Sequence, residues 1–161
     1  MNALNPILLV EDSSKDIELM LAALEDIHVA NRVVVLHDGA EALAYLRESL
    51  HKGGPAGLPV VVLLDIKMPK VSGIDLLKLL KADPQFSQIP VVMMTSSGEG
   101  PDIDECYGLG ANAYVVKPMD FPAFFQAVKD VGRFWAVVNQ PPRSAEVVGA
   151  LEAAAGKGPE K

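Results

Sequence analysis

Four apolar runs of the sequence end in residues that can handle a phosphoryl group. Asp65 follows one run, and Glu11 with Asp12, Thr95 and Lys117 follow the other three. A carboxylate can accept a phosphoryl group as an acyl phosphate if the charge of the transferring group is neutralised and its donor is held in line. These residue types therefore predict phosphoryl transfer, with Asp65 as the nucleophile.

The acidic residues of this set indicate a metal site. If Glu11, Asp12 and Asp65 meet, each close pair repels by about 4 kcal/mol at an intermediate dielectric, a cost that a bound divalent cation removes. Hard oxygen ligands with room for waters and a phosphate suit Mg²⁺. Lys117 would add positive charge, and Thr95 could donate its hydroxyl to a phosphoryl oxygen.

Each of these residues also has a simpler explanation when taken alone. Asp12 can cap a helix, Asp65 can belong to a turn, and Lys117 can be a solvated charge. Only their convergence at one place favours a site. The positions of the strands and helices that carry these residues therefore distinguish a shared site from separate local roles.

Apolar strands alternate with helical patterns along the chain. Asp38 with Glu41, Ser72 with Asp75, and Asp120 are typical helix starts. We predict strands at 7–10, 32–37, 60–64, 89–94 and 113–116, and helices at 14–27, 38–50, 72–82, 101–110 and 121–138. Such alternation predicts an α/β fold with a parallel sheet and helices on both faces. Ligands of such sheets bind at the carboxyl ends of the strands, so the reactive residues should converge there.

Composition limits the function further. The chain has 161 residues, is 50% hydrophobic and carries a net charge of −7 without a block of Lys or Arg, which argues against binding to nucleic acid. The single cysteine, Cys106, cannot form an internal disulfide. No apolar stretch reaches the length of a membrane span, and the N-terminus lacks a signal-peptide pattern, so we expect a cytoplasmic protein without a membrane partner.

The C-terminal segment differs in composition from the rest. It starts near Pro141 and Pro142 and is rich in Ala and Gly. We predict one domain over residues 1–139 and a flexible tail over 140–161.

The motifs together resemble the receiver domain of bacterial two-component response regulators. The resemblance covers about residues 5–138 and rests on Glu11-Asp12, Leu64-Asp65-Ile66-Lys67-Met68-Pro69, Gly73, Thr95-Ser96 and Lys117-Pro118. It implies a flavodoxin-like (CheY-like) five-stranded parallel sheet of order 2-1-3-4-5. It also implies a phosphorelay switch, rather than an enzyme, that accepts a phosphoryl group on Asp65 from a histidine kinase.

The resemblance implies roles for the acidic residues. Asp65 would be the phosphoacceptor, and Asp12, Asp65 and the backbone carbonyl of Lys67 would bind Mg²⁺ directly. Glu11, where the family often has Asp, would hold a metal-bound water. Lys67 and Ser97 occupy positions at which the family tunes hydrolysis, so the lifetime of the phosphoryl group stays open.

The resemblance also implies a cation and a switch. Lys117 would pair with the phosphate, and its bond to Pro118 would be cis, a form found mainly before proline. Thr95 and Tyr114 would form the switch pair, in which the threonine moves toward the phosphoryl group and the aromatic ring turns inward. The alternative for Tyr114 is an ordinary aromatic residue at a strand edge.

A narrower resemblance points to single-domain regulators paired with bacterial phytochrome kinases. It rests on segments 10–13 and 38–42 and on Phe134-Trp135, and it implies a bacteriophytochrome partner, a light signal and a homodimer through the last helix. Apolar residues cover about half of that helix, wider than one buried face needs. We predict Phe134 and Trp135 at the dimer interface; the alternative is a helix packed deeply in a groove. With no effector domain expected, the signal would leave through protein contacts.

Three other functions compete with this interpretation. A flavodoxin-like cofactor protein would need a phosphate-binding loop where Glu11 and Asp12 stand. A haloacid-dehalogenase-type phosphatase needs a second Asp at the position of Lys67. The remaining alternative is a receiver-shaped scaffold or adaptor that is never phosphorylated, which the complete set of reactive residues disfavours.

Overall fold

One parallel sheet forms the centre of the molecule in a computed structural model that describes residues 4–141. The strands are β1 (Ile7–Val10), β2 (Val33–Leu36), β3 (Val61–Leu64), β4 (Val91–Thr95) and β5 (Ala113–Val116). They pair in the order β2-β1-β3-β4-β5. The predicted strand order is confirmed, and β3, which ends one residue before Asp65, lies in the middle of the sheet.

Helices cover both faces of this sheet, as the unbroken apolar character of the central strands requires. They are α1 (Ser14–Asp26), α2 (Gly39–Gly53), α3 (Gly73–Ala82), α4 (Gly100–Gly108) and α5 (Phe121–Arg133), with a short 3₁₀ turn at Pro55–Gly57. One core cluster joins the sheet to α2, α3 and α4. A second cluster on the opposite face joins it to α1 and α5. The central strands β1, β3 and β4 are buried along their whole length.

The helix starts follow the predicted capping residues. Asp38 accepts a hydrogen bond from the Glu41 backbone N–H at 2.8 Å, and the Glu41 carboxylate accepts one from the His37 N–H at 2.9 Å. Ser72 caps α3 and Asp120 caps α5 in the same way. These caps fix where each helix leaves the loop at the carboxyl end of the preceding strand.

The last helix differs from the prediction at its C-terminal end. It is α-helical to Arg133 and continues as one π-helical turn over Phe134–Val138. The Asn139 N–H donates to the Phe134 carbonyl at 2.6 Å, which is the five-residue spacing of a π turn. Trp135 packs against the core cluster shared by α1 and α5, while Phe134 is exposed.

A glycine sets the packing of α5 on α1. A Cβ at Gly132 would overlap the Leu24 side chain, so the close contact between the two helices depends on its absence. Lys129 of α5 also pairs with Asp26 of α1 at 2.7 Å. Both contacts join the C-terminal halves of α1 and α5.

Over residues 4–141, the helices are too short or too polar to cross a membrane. The tail predicted from residue 140 lies outside the described residues from position 142 onward.

Candidate functional site

Three carboxylates meet at the carboxyl ends of β1 and β3. These strands are neighbours with Val10 opposite Leu64, so the residues that follow them emerge side by side. One oxygen from each of Glu11, Asp12 and Asp65 lies within 4.8 Å of the others. The convergence expected from the sequence is therefore present in the fold.

Glu11 is the most buried of these carboxylates. Its side chain is 2% exposed; one oxygen accepts from the Ser13 N–H at 3.0 Å and the other from Lys117 Nζ at 2.6 Å. The pKa of Glu11 is raised to about 7, because burial, helped by the nearby Asp65 charge, outweighs the lowering effect of the hydrogen bonds from Lys117 and Ser13. Without another cation, this carboxylate is held in place at a considerable desolvation cost.

Lys117 supplies the positive charge of the site. It follows β5, and its N–H donates to the Thr95 carbonyl at 2.7 Å, which ties the end of β5 to the end of β4. Its ammonium nitrogen lies 2.6 Å from Glu11 and 3.5 Å from the Asp65 carboxylate. Burial alone would lower the pKa of Lys117, but the hydrogen bonds and charges of the surrounding carboxylates raise it, so the group is held as a cation.

The peptide bond after Lys117 is trans, and the prediction of a cis bond is wrong. Every peptide bond between residues 4 and 141 is trans, including Lys117-Pro118. The trans form is the more stable isomer by about 0.5–1 kcal/mol even before proline. The lysine side chain reaches Glu11 from this backbone, so a cis bond is not required to place its charge in the site.

A fourth carboxylate, missed in the sequence, also binds Lys117. Asp16 lies in the first turn of α1, and its oxygen is 2.8 Å from Lys117 Nζ. The available signal was the helical pattern that begins at Ser14, because it places the first turn of α1 beside the strand ends. Asp16 was overlooked because it follows the helix start rather than a strand.

Asp65 and its loop are fixed by backbone hydrogen bonds. Asp65 is 8% exposed, and its Oδ1 accepts from the Ile66 N–H at 2.8 Å. The Gly73 N–H then donates to the Ile66 carbonyl at 2.9 Å, which joins the start of α3 to the end of β3. The side chain of Lys67 is exposed, so the ligand role predicted for this residue concerns only its backbone carbonyl.

Thr95 and Tyr114 are linked through Ser97. Thr95 is fully buried, and its hydroxyl oxygen accepts from the Ser97 N–H at 3.3 Å. The Tyr114 hydroxyl donates to the Ser97 carbonyl at 2.7 Å, and its half-buried ring packs against the core cluster. The Ser97 hydroxyl donates to Asp102 of α4. The switch pair therefore shares one loop, while the predicted movement of Thr95 and Tyr114 stays a prediction.

The residues present fit a small divalent cation. The cluster offers only carboxylate oxygens, which are the ligands that Mg²⁺ and Mn²⁺ accept readily. Asp12 is exposed whereas Glu11 and Asp65 are buried, so the cluster is open to solvent on one side. Three carboxylates contact Lys117 and Asp12 lies beside two of them, so four negative charges stand against one positive charge and favour a cation.

The sheet order and the strand-end residues together define a class of protein. A five-stranded flavodoxin-like sheet with an acidic cluster after β1 and β3, a hydroxyl at the end of β4 and a lysine after β5 is the arrangement of a receiver domain. A sequence profile of the response regulator receiver domain matches residues 7–129. The chain belongs to this family, whose members act as phosphorylation switches.

Individual relatives agree with this assignment. Response regulator Rcp1 of Synechocystis sp. is 33% identical over 80% of this chain and 87% of its own length. The structure of the phosphorylated cyanobacterial phytochrome response regulator RcpA is similar with a TM-score of 0.78 and 37% identity, over 88% of this chain and all of that one. The bacteriophytochrome response regulator AtBRR is 51% identical with a TM-score of 0.66, over 86% of this chain and all of its own.

Both resemblances noted in the sequence are confirmed by these comparisons. The chain is a response regulator receiver domain, and phytochrome response regulators are among the proteins to which it is similar.

Proposed function

We propose that this receiver accepts a phosphoryl group on Asp65 from a histidine kinase and acts in a phosphorelay as a switch. The observation that carries the proposal is the position of Asp65, buried at the end of β3 with Glu11 and Asp12 beside it and Lys117 Nζ 3.5 Å away. A carboxylate so placed can attack a phosphorus atom while the neighbouring cation balances charge on the phosphoryl oxygens.

The proposed cofactor is Mg²⁺, held by Asp12, Asp65 and the Lys67 carbonyl, with Glu11 binding through a water. When bound, it would supply the positive charge that the four carboxylates and the phosphoryl oxygens require. The structure of Rcp1 in its Mn²⁺-bound form supports a divalent cation in a related protein. In this chain, the all-oxygen composition of the cluster supports the same class of ion.

The proposed switch consists of Thr95 and Tyr114. Thr95 lies at the end of β4 next to β5, with Val116 as its cross-strand neighbour. Its hydroxyl would leave the Ser97 N–H to donate to a phosphoryl oxygen. Because Tyr114 is bonded to the Ser97 carbonyl, movement of this loop would reach the Tyr114 ring and the surface of α4.

We expect the native protein to gain one phosphoryl group when it is incubated with a small phosphodonor and Mg²⁺, and none when EDTA replaces the metal. Intact-mass spectrometry measures the adduct, and its loss on treatment with hydroxylamine identifies an acyl phosphate. If no adduct forms in the presence of Mg²⁺, the chain is instead the receiver-shaped adaptor considered as the alternative.

The proposed partner is a bacteriophytochrome-type histidine kinase in the cytoplasm. The names of RcpA and AtBRR associate those proteins with phytochromes, and the similarity extends over most of this chain. A groove of about 290 Å³ opens beside Lys117, between α1 and the β5–α5 connection. Its walls combine charged and apolar side chains, including Lys15, Leu19, Met119 and Phe121. A phosphodonor protein seated there would lie beside Lys117 and Asp16.

We also propose that the receiver forms a homodimer through the end of α5. Phe134, Val137 and Val138 are 46%, 71% and 64% exposed, and together they present an apolar surface. Phe134 stacks edge-to-face on Trp135 with ring centroids 5.0 Å apart. Since Trp135 packs on the core of its own chain, it would support the interface while Phe134 would contact the second copy.

Phe134→Arg is expected to raise the dissociation constant of this dimer by about tenfold or more, because an aromatic anchor would be replaced by a charge. Multi-angle light scattering over a concentration series measures it. Leu79→Arg is the matched control, since Leu79 on α3 is also 46% exposed but lies on a different helix. A native protein that stays monomeric at high concentration, with and without phosphorylation, contradicts the proposal.

A further inference from the structure

Lys117 is bound by three carboxylates, and Asp16 is the one without a role in the proposed function. Lys117 Nζ lies 2.6 Å from Glu11, 2.8 Å from Asp16 and 3.5 Å from Asp65. The two short contacts are within hydrogen-bond distance, whereas the contact to Asp65 is at the outer limit. In this state the ammonium is therefore nearer to α1 than to the phosphoacceptor.

The position of Asp16 is fixed by the start of α1. Ser13 caps the helix by accepting from the Asp16 N–H at 3.3 Å, which places Asp16 in the first turn. A carboxylate is stabilised there by the positive end of the helix dipole. Lys117 comes from the opposite direction, after β5. The ion pair thus connects α1 to the β5–α5 connection across the edge of the site.

A phosphoryl group on Asp65 would change what Lys117 can bind. An ammonium group has three N–H donors, and three carboxylates already face them. New phosphoryl oxygens would add acceptors without adding donors. The donor that faces Asp65 can serve a first phosphoryl oxygen, but a second phosphoryl contact requires Lys117 to give up Glu11 or Asp16.

The exposure of the partners indicates which of them is given up. The Glu11 side chain is 2% exposed, so loss of its cation would leave a buried charge unpaired. The Asp16 side chain is 31% exposed and can be hydrated once it is released. The exchange of Asp16 for water is therefore the less costly of the two.

We infer that Asp16 is a positioning residue that holds Lys117 toward α1 in the unphosphorylated protein and is exchanged for a phosphoryl oxygen when Asp65 is modified. This inference rests on the proposed phosphoryl acceptance at Asp65. It makes Asp16 a competitor of the phosphoryl group, so that removal of its charge favours the modified state.

Beryllofluoride, which binds a carboxylate as a phosphoryl mimic, tests the inference in the presence of Mg²⁺. Asp16→Asn should bind it about two- to fivefold more tightly than the native protein, the range expected for a partly solvated ion pair. Asp16→Glu should restore the native affinity. Glu18→Gln, which removes one charge from an exposed position of the same helix, should leave the affinity unchanged and so controls for long-range repulsion.

The ¹⁵Nζ resonance of Lys117 provides a readout that a merely structural role of Asp16 would not produce. The chemical shift of this resonance should differ between the native protein and Asp16→Asn in the free state. The two proteins should show the same shift in the beryllofluoride state, because Asp16 is then no longer a partner of Lys117. Equal or weaker binding by Asp16→Asn, or a difference that persists in the bound state, would overturn the inference. Failure of the native protein to bind beryllofluoride would instead count against the proposed function itself.

Discussion

Asp65→Asn is expected to gain no phosphoryl group under conditions in which the native protein is modified. An amide is neutral and a much weaker nucleophile than a carboxylate, and its oxygen cannot give an acyl phosphate. Asp65 is also the carboxylate closest to the end of the central strand β3, with the ammonium of Lys117 3.5 Å away. Intact-mass spectrometry after incubation with a small phosphodonor and Mg²⁺ measures the difference.

Loss of the adduct should not reflect loss of the fold. Asp65→Asn removes one of several like charges, and Lys117 keeps its two shorter contacts with Glu11 and Asp16. We therefore expect a urea midpoint at least equal to that of the native protein. Asp75→Asn, an exposed position in the first turn of α3, is the matched control and should be modified normally. An equal adduct on the Asp65 variant would show that another residue is the acceptor.

The fold could be predicted from the sequence because its signals are local. Each apolar run is followed by a helical pattern with a recognisable cap, and the structure keeps this alternation. The limits of β1 and β5 are as predicted, and those of the other three strands shifted by one or two residues. The predicted run 89–94 became β4 at Val91–Thr95, for example, which places Thr95 at the last position of the strand. The apolar run of β2 is as long as that of β1, but β2 is only partly buried because it lies at the edge of the sheet.

The site could be predicted only as far as it lies at strand ends. Parallel strands deliver their terminal residues to one edge, so Glu11, Asp12 and Asp65 were brought together by topology alone. The contact between Asp16 and Lys117 joins residues 101 positions apart and depends on how α1 packs beside β5. Such a contact is a property of packing, which no spacing along the chain encodes.

Two local conformations also depended on packing. The trans bond before Pro118 differs from the expected cis form by only about 0.5–1 kcal/mol, and the π turn after Arg133 replaces the last turn of the expected α-helix. The pattern of apolar residues indicates neither of these two conformations. The expectation of a cis bond came from the family resemblance, and the backbone of this chain reaches the site without it.

Gly73→Ala is expected to destabilise the fold by about 2–4 kcal/mol, because the added Cβ has no space. It would overlap the Asp65 carbonyl oxygen and lie 2.7 Å from the Asp65 carbonyl carbon and 2.8 Å from Ile66 Cα. All three are backbone atoms of the segment that follows β3, so no flexible side chain can move aside. Relief requires α3 to shift away from that segment, which would also strain the hydrogen bond from the Gly73 N–H to the Ile66 carbonyl.

The same overlap should lower phosphorylation, because the Ile66 N–H that binds the Asp65 carboxylate belongs to the segment against which the added Cβ presses. Urea unfolding measures the stability, and a fall of about 10 °C in Tm is the corresponding thermal result. Gly108→Ala is the matched control: it lies at the end of α4 with no atom near the added Cβ, and alanine should be neutral or stabilising there by up to about 1 kcal/mol. A Gly73 variant as stable as this control would mean that α3 does not rest on the phosphoacceptor backbone as closely as its geometry indicates.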